Sequence, residues 1–149
     1  MSLQLVDYNE SLKDSLFEFT LGCFADIGKS FEPEGRHYFY QHITEEFELF
    51  CCLVDDGTVK GSVAIKRISE DVCELKALYL SDDLRGQGWG YKLLDRAVNF
   101  ARNAGYKRVV LDSMSKYEDA RHLYDRYGFV PTERYNDNIY ADVFMELTL

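Results

Sequence analysis

The sequence predicts an α/β domain built around a mixed sheet. Its 149 residues suit one domain spanning residues 1–149, and 46% of them are hydrophobic and 15% aromatic, which is enough for a substantial core. Segments with strand-like and helix-like periodicity follow one another along the chain. Their order is strand, two helices, three strands, helix, strand, helix and two strands, which is typical of a single α/β fold.

The first predicted elements are a short strand at residues 3–8 and two helices. Asn9 follows the strand and is predicted to cap the first helix, because its side chain can accept a hydrogen bond from an N–H of the first turn. Apolar side chains recur at helical spacing along this helix: Leu12, Leu16, Phe19 and Cys23. The second helix is predicted at residues 31–43, with Pro33 in its first turn.

A hairpin and a further strand come next. Residues 47–68 contain two β-rich runs joined at Asp56-Gly57, a dipeptide typical of a two-residue hairpin turn. Residues 72–80 predict the third strand of this group. Strict alternation in that strand would place four side chains on one face: Glu74, Lys76, Leu78 and Leu80.

The second half of the chain begins with a helix predicted at residues 88–104. It carries an apolar stripe at helical spacing and is expected to end at Gly105. Residues 107–112 then predict a buried strand.

The last helix is predicted to begin at a capping box formed by Ser115 and Glu118, which lie three residues apart. Gly128 is its expected stop. Residues 140–147 predict the final strand.

Charge is unevenly distributed along the chain, whose net charge is −9. Residues 1–84 hold 7 Lys/Arg and 17 Asp/Glu, whereas residues 85–149 hold 10 and 9. A local excess of basic residues after residue 85 suits a polyanionic small molecule, and the acidic first half favours a cationic second ligand such as an amine. The acidic balance argues against nucleic acid as a partner.

Composition also bounds the location and the redox state. No apolar run approaches the roughly 20 residues of a membrane span, and the first ten residues lack the regions of a signal peptide, so a cytoplasmic protein is expected. The four cysteines include no C-x-x-C pair, and the three histidines are not spaced as metal ligands. Reduced thiols and no metal site are therefore expected.

Three alternating glycines, Gly86, Gly88 and Gly90, lie where the strand at residues 72–80 gives way to the following helix. The first N–H groups of a helix have no intrahelical partner and carry the positive end of its dipole. Glycines allow an anion to approach these N–H groups without a Cβ in the way. Arg85 adds positive charge at the same point. The pattern therefore predicts a phosphate site.

A dinucleotide-binding oxidoreductase is one alternative that fits a strand–glycine–helix unit. Asp112 lies 22 residues after Gly90, where an acid that binds a ribose would be expected. However, Tyr91 occupies the third glycine position of that fingerprint, and only 37 residues follow Asp112.

The segment RGQGWG at residues 85–90 fits the pattern R/Q-x-x-G-x-G/A. Together with the later segment DARHLYDRYGF, it resembles the GNAT-type N-acetyltransferases over about residues 73–130. The resemblance implies a mixed, mostly antiparallel sheet of six or seven strands flanked by about four helices. It also implies acetyl-CoA as the cosubstrate, no metal, and direct acetyl transfer to a primary amine in a ternary complex.

The resemblance further implies roles for individual residues. The cofactor pyrophosphate would bind the backbone N–H groups of the loop: Arg85, Gly86, Gln87, Gly88, Trp89 and Gly90. The pantetheine arm would pair with the backbone of Leu78, Tyr79 and Leu80, where an N–H would also face the oxyanion. Tyr124 matches the tyrosine that protonates the departing thiolate, and Glu74 is the candidate base for the acceptor amine, directly or through water.

Several questions stay open at the level of sequence. Tyr117 stands where many family members carry an Asn that contacts the cofactor, so a coenzyme A-binding sensor without turnover remains an alternative. Residues 25–45 and 131–141 would choose the acceptor but carry no motif. One aromatic run could line the acceptor site or belong to the core: Phe31, Tyr38, Phe39 and Tyr40. A homodimer is also compatible with the resemblance.

Overall fold

A computed structural model describes residues 2–149, and its seven strands form a single sheet. The strands are β1 Leu3–Asp7, β2 Leu49–Asp55, β3 Thr58–Arg67, β4 Val72–Leu80, β5 Arg108–Ser113, β6 Val130–Pro131 and β7 Val143–Thr148. They lie in the order β1-β2-β3-β4-β5-β7-β6, and only β4 and β5 pair in parallel. The mixed, mostly antiparallel sheet that the sequence predicts is confirmed.

Helices cover both faces of the sheet and divide its apolar side chains into two clusters. The helices are α1 Lys13–Asp26, α2 Ile43–Glu46, α3 Trp89–Asn103 and α4 Glu118–Tyr127. In β2, Phe50 and Cys52 point into the cluster under α1 and α2, whereas Cys51 and Leu53 point into the cluster under α3 and α4. This alternation is what a strand buried on both faces requires. Among residues 2–149, no helix combines the length and the apolar character needed to cross a bilayer.

The predicted hairpin and the glycine-initiated helix are both present. Asp56 and Gly57 have φ values of 48° and 80°, the left-handed backbone that a two-residue hairpin turn needs. α3 begins at Trp89 and ends at Asn103. Gly105 follows with a φ of 92°, as expected for the predicted stop residue.

The helix predicted at residues 31–43 is wrong. That segment forms turns, a 3-10 segment at Tyr38–Gln41 and then the short α2. The cause is local hydrogen bonding: the Glu32 N–H donates to His37 Nδ1 at 3.0 Å, and the Glu32 carbonyl accepts from the His37 N–H at 2.9 Å. A side chain that satisfies the backbone in this way competes with a helical ladder.

Two predictions about helix detail also need correction. In α1 the fully buried positions after Leu16 are Thr20 and Phe24, while Phe19 and Cys23 are only half-buried. Asn9 does accept the Ser11 N–H at 2.9 Å, but it caps a 3-10 turn that precedes α1.

The capping box at the start of α4 does not form. Ser115 donates from its backbone N–H and its hydroxyl to the Asp142 carboxylate, at 2.7 and 2.6 Å. The hydroxyl is therefore used across the fold, and α4 begins three residues later at Glu118 with Tyr117 before it.

A bulge in β4 changes which side chains share a face. Lys76 lies opposite Ala64 and Tyr79 lies opposite Ser62, so β4 has one more residue than β3 between these two pairs. Ala77 takes up the irregularity with φ 56°, and its carbonyl accepts the Ser62 hydroxyl at 2.6 Å.

The bulge contradicts the strict alternation expected from the sequence. Tyr79 follows Glu74 and Lys76 on the α1 side, where its ring lies 5.4 Å from that of Phe24. Leu78 and Leu80 turn to the opposite face and pack against the apolar cluster under α3 and α4, called the α3 cluster below.

Candidate active site

The sheet opens between β4 and β5. These two strands pair only over Val72–Glu74 and Arg108–Val110, and beyond that point the rest of β4 keeps its pairing to β3 alone. The backbone edge of residues 78–80 is thereby free toward β5. Such a gap gives an extended ligand backbone groups to pair with, as β-strand addition does.

The glycine loop follows directly at the end of this open strand. Gly86 and Gly88 have φ values of 76° and 85°, a region that a residue with a Cβ reaches only with strain. A Cβ built on either would meet no atom within 4 Å, so backbone conformation and not space requires glycine. Gly88 precedes α3 without a side-chain cap, which leaves the first N–H groups of α3 directed at the loop.

The third glycine is required neither by a positive φ nor by lack of space. Gly90 lies within α3, and a Cβ on it would lie 3.4 Å from Leu123 Cδ2 on α4. That distance is an ordinary van der Waals contact between the two helices.

Arg85 is placed at the loop, but both ends of its guanidinium group are occupied. Its Nε lies 2.8 Å from Asp82 Oδ1 and its Nη1 lies 2.8 Å from Asp119 Oδ2. The second contact joins the loop to the first turn of α4. The side chain therefore joins the loop to α4, while Asp82 and Asp119 already share its positive charge.

The remaining carboxylate beside the loop is also paired. Asp83 accepts a hydrogen bond from Lys60 Nζ at 2.7 Å and another from Ser81, and these bonds lower its pKa. The acids at the loop are thus neutralised by neighbouring bases, which reduces their repulsion of an incoming anion.

Tyr124 lies on α4 with its ring in the α3 cluster, 5.9 Å from the ring of Phe129, and only 7% of the residue is exposed. Burial raises the pKa of its phenol, and the charge of Asp112 raises that pKa further. Within residues 2–149 its hydroxyl makes no hydrogen bond to another side chain or backbone group. A protonated hydroxyl that the fold itself does not use is available to a ligand.

Glu74 is the last residue of β4 that pairs with β5, and it is buried. Its Oε2 accepts the Tyr135 hydroxyl at 2.5 Å and the Asn136 side-chain amide at 3.4 Å. Its Oε1 lies 3.5 Å from Lys76 Nζ. These contacts fix the Glu74 carboxylate where the β4–β5 pairing ends. This end of the gap between the two strands is called its mouth below.

Asp112 on β5 is the second carboxylate at this mouth. The Asn136 side-chain amide donates to its Oδ2 at 2.6 Å, and Asn138 donates to the same oxygen at 3.3 Å. Asn136 thus links a carboxylate on β4 to one on β5, near the point where the two strands part.

Sequence reasoning missed Tyr135 and Asn136, and it considered Asp112 only as a ribose ligand. The run YNDN at residues 135–138 is the one signal that could have pointed to them, because so many side-chain acceptors and donors in a row favour local and cross-strand hydrogen bonding.

An aromatic wall lies on the α1 side of the sheet, next to Tyr79 of β4. It consists of Phe24, Phe31, His37 and Phe39, whose neighbouring rings lie 5.0 to 6.1 Å apart. Of the aromatic run singled out in the sequence, Tyr40 is buried in the core and Tyr38 is half exposed. Phe31 and Phe39 belong to the wall and also pack against the core cluster under α1 and α2, so a role of the run in lining the acceptor site stays a prediction.

His37 is neutral in this wall. Burial lowers its pKa to about 4, with further contributions from the charges of Lys29 and Arg36. The hydrogen bond that its Nδ1 accepts from the Glu32 N–H requires that nitrogen to be unprotonated.

Comparison with known proteins indicates one family for this chain. The model of the acetyltransferase (GNAT) family matches residues 11–129. A protein of Schizosaccharomyces pombe described as an uncharacterized N-acetyltransferase is 32% identical over 97 residues, which are 64% of this chain. The match spans 60% of that relative, so the chain covers less than two thirds of its length.

Solved structures share the fold over nearly the whole chain. An acetyltransferase of Streptococcus agalactiae superposes with a TM-score of 0.89 at 21% identity, over 99% of this chain and 98% of that one. A GNAT family acetyltransferase of Brucella melitensis in complex with acetyl-CoA superposes with a TM-score of 0.73 at 20% identity, over 99% and 88%.

The family model covers well over half of the chain and includes the opened strand pair, the glycine loop and α4. The parallel sheet of a dinucleotide-binding fold is absent from residues 2–149, since β4 and β5 are parallel for only three pairs. The chain therefore belongs to the acetyltransferase (GNAT) family.

Proposed function

We propose that the protein is an acetyl-CoA-dependent N-acetyltransferase that transfers an acetyl group to a primary amine by direct attack in a ternary complex. The observation that carries the proposal is the opening between β4 and β5, with the glycine loop following β4 and Tyr124 in the cluster against which Leu78 and Leu80 pack. Together these features would offer an acetyl-CoA molecule backbone groups, an anion site and a proton donor.

Two parts of acetyl-CoA, the pyrophosphate and the pantetheine arm, would each find backbone partners here. The pyrophosphate would accept hydrogen bonds from the backbone N–H groups of residues 85–90, at the positive end of α3. The pantetheine arm would pair with the free edge of residues 78–80. A backbone N–H of this edge would then also stabilise the oxyanion of the transition state.

The residues of this chain supply the two proton transfers. Glu74, directly or through water, accepts the proton that the ammonium group of the acceptor must lose before it can attack. Tyr124 donates its proton to the leaving thiolate, and its raised pKa keeps it protonated until then. The C–N bond forms and the C–S bond breaks without an acyl-enzyme. The nitrogen then loses its second proton to solvent water, from which the Tyr124 phenolate is protonated again.

A covalent acyl-enzyme on cysteine is disfavoured. Burial raises the pKa of Cys23 and Cys51 to about 11 and that of Cys52 and Cys73 to about 12. A nucleophilic cysteine needs the opposite, a lowered pKa that makes the thiolate available. The four free thiols, three of them buried, also favour a cytoplasmic location.

Thermal unfolding tests the proposal, with acetyl-CoA as the ligand and NAD as the control. A ligand at 100 times its Kd adds about 2.7 kcal/mol, which is several degrees for a domain of this size. We expect a shift with acetyl-CoA alone, followed by release of free coenzyme A when a panel of amines is added. No shift with acetyl-CoA would overturn the proposal, and a shift without turnover of any amine would favour a coenzyme A sensor.

A further inference from the structure

The segment that joins β6 to β7, residues 132–142, reaches across the sheet to the carboxylate of β4. Two of its side chains donate to the same oxygen of Glu74, although they lie 61 and 62 residues later in the chain. The Tyr135 hydroxyl lies 2.5 Å from Glu74 Oε2, and the Asn136 amide nitrogen lies 3.4 Å from it. The protein itself therefore holds one oxygen of this carboxylate.

The second oxygen of Glu74, Oε1, is much less engaged. Within residues 2–149 it accepts no hydrogen bond, and Lys76 Nζ lies 3.5 Å from it. Each oxygen of an ionised carboxylate can accept about two hydrogen bonds. Oε2 has two donors already, so the lone pairs left for an incoming proton are those of Oε1.

Asn136 cannot turn its amide away from the carboxylates without losing contacts. Its Oδ1 accepts the Asn138 N–H at 3.1 Å, so its nitrogen points in the other direction. That nitrogen carries two hydrogens and has two carboxylates within reach, Asp112 Oδ2 at 2.6 Å and Glu74 Oε2 at 3.4 Å. Asp112 thus anchors Asn136 from β5, and Asn136 supports the oxygen that Tyr135 holds.

Contacts within the segment and with β7 set the direction of the Tyr135 hydroxyl. The Arg134 guanidinium donates to the backbone carbonyls of Asn138 at 2.9 Å and Ala141 at 3.1 Å, and it lies 4.6 Å from the centre of the Phe144 ring. The Tyr135 ring packs against the same Phe144, with 5.7 Å between centres and nearly perpendicular planes. The fold therefore places this hydroxyl without help from a ligand.

The Tyr135 hydroxyl acts as a donor and not as a competing base. Burial raises the pKa of its phenol, and the neighbouring charge of Glu74 raises that pKa further, so the group keeps its proton. A hydrogen bond to an ionised acceptor is about twice as strong as one between neutral groups. This bond is therefore the strongest of the contacts that orient Glu74.

We propose that Tyr135 is the positioning residue of the base, holding Glu74 Oε2 so that Oε1 takes the proton of the acceptor ammonium. The proposal rests on the proposed acetyl transfer, in which Glu74 is the base. An N–H bond of the ammonium breaks and an O–H bond forms at Oε1, while Tyr135 keeps its own proton and donates throughout. A fixed carboxylate presents its free oxygen in one direction, which is what proton transfer requires.

Tyr135→Phe tests this role, because it removes the hydroxyl and keeps the ring against Phe144. kcat and KM are measured with acetyl-CoA and three primary amines as probes: ethanolamine, benzylamine and 1,4-diaminobutane. We expect Tyr135→Phe to lower kcat/KM for the amine by about 10- to 100-fold, the worth of a hydrogen bond to a charged group. KM for acetyl-CoA should stay within about twofold, since the hydroxyl lies on the base and not on the cosubstrate.

A double variant separates positioning from a direct or structural role. If Tyr135 acts through Glu74, Tyr135→Phe should cost less than about twofold when it is added to Glu74→Gln, because the base is already gone. Losses that multiply in the double variant would overturn the inference, since they would mean that Tyr135 contacts the substrate or supports the fold independently of Glu74.

Tyr106→Phe is the matched control. Its hydroxyl also donates to a glutamate, Glu48, but Tyr106 belongs to the α3 cluster on the other face of the sheet. This variant should lower the unfolding temperature and keep kcat/KM within about twofold. Thermal unfolding of Tyr135→Phe should still show the full shift with acetyl-CoA, and loss of that shift would overturn the inference in favour of a structural role.

The same measurements distinguish this inference from the proposed function. A large loss of kcat/KM in Glu74→Gln with unchanged constants in Tyr135→Phe would overturn the role of Tyr135 and leave the acetyltransferase with Glu74 as its base. Absence of turnover in the wild-type protein with every amine would overturn the proposed function, and the inference with it.

Discussion

Replacing Tyr124 with phenylalanine removes a single oxygen from the proposed proton donor. The ring remains in the α3 cluster, where it packs against Phe129. Because the hydroxyl makes no hydrogen bond within residues 2–149, its loss breaks no contact of the fold. We therefore expect the free energy of unfolding to change by less than about 0.5 kcal/mol.

The effect on the reaction should be much larger. A positioned general acid contributes about 10²- to 10⁴-fold, and the loss should fall on kcat because the proton is transferred only in the transition state. Burial and Asp112 keep the pKa of Tyr124 above its ordinary value of 10.0. In the wild-type protein the phenol therefore stays protonated, and no loss of kcat from its ionisation is expected up to about pH 10.

The assay follows release of coenzyme A at saturating acetyl-CoA, alongside urea unfolding. Tyr127→Phe is the matched control on the same helix, since its hydroxyl donates to Asp95 Oδ1 at 2.7 Å. That variant should lose about 1 kcal/mol of stability and keep its kcat. An unchanged kcat in Tyr124→Phe, or a loss explained entirely by unfolding, would refute the assignment of Tyr124 as the acid.

Three further predictions concern the loop, the wall and the base. Gly88→Ala should cost about 1 to 2 kcal/mol in thermal unfolding because of its positive φ, whereas Gly90→Ala should leave both stability and acetyl-CoA binding nearly unchanged; equal losses would contradict the distinction. The pKa of His37 is about 4 in the folded protein against an ordinary 6.5, so the unfolded chain binds more protons between these values. The free energy of unfolding should therefore fall as the pH is lowered from about 6.5 to about 4, by at most about 3 kcal/mol. His37→Gln should flatten this pH dependence. His42→Gln, at an exposed position, should leave it unchanged. Glu74→Gln should lower kcat/KM for the amine by about 10²-fold or more without weakening acetyl-CoA binding, measured by thermal shift; retained activity would leave water or another group as the base.

Much of the fold could be predicted because its signals are local. The turn at Asp56-Gly57, the stop at Gly105 and the spacing of α3 each depend on backbone conformation or on periodicity within a few residues. The glycine loop belongs to the same group, since two of its three glycines are required by φ alone.

The predictions that failed depend on partners far along the chain or on competing hydrogen bonds. Ser115 was expected to cap α4, but Asp142, 27 residues away, takes its hydroxyl. The segment after α1 was expected to be helical, but His37 satisfies the backbone of Glu32 and ends any helical ladder. Neither partner is marked by spacing in the sequence.

By itself, the sequence determined the order of the elements, the glycine loop and the likeness to the acetyltransferase (GNAT) family, because turns, helix ends and motifs are written in consecutive residues. Only the tertiary structure decided the site's interior. It turned Leu78 and Leu80 away from Glu74 through a bulge, and it joined Glu74 to Asn136, 62 residues later, at the opening of the sheet. Hydrogen bonds across such separations depend on how the strands align, and strand alignment is settled by packing the whole sheet.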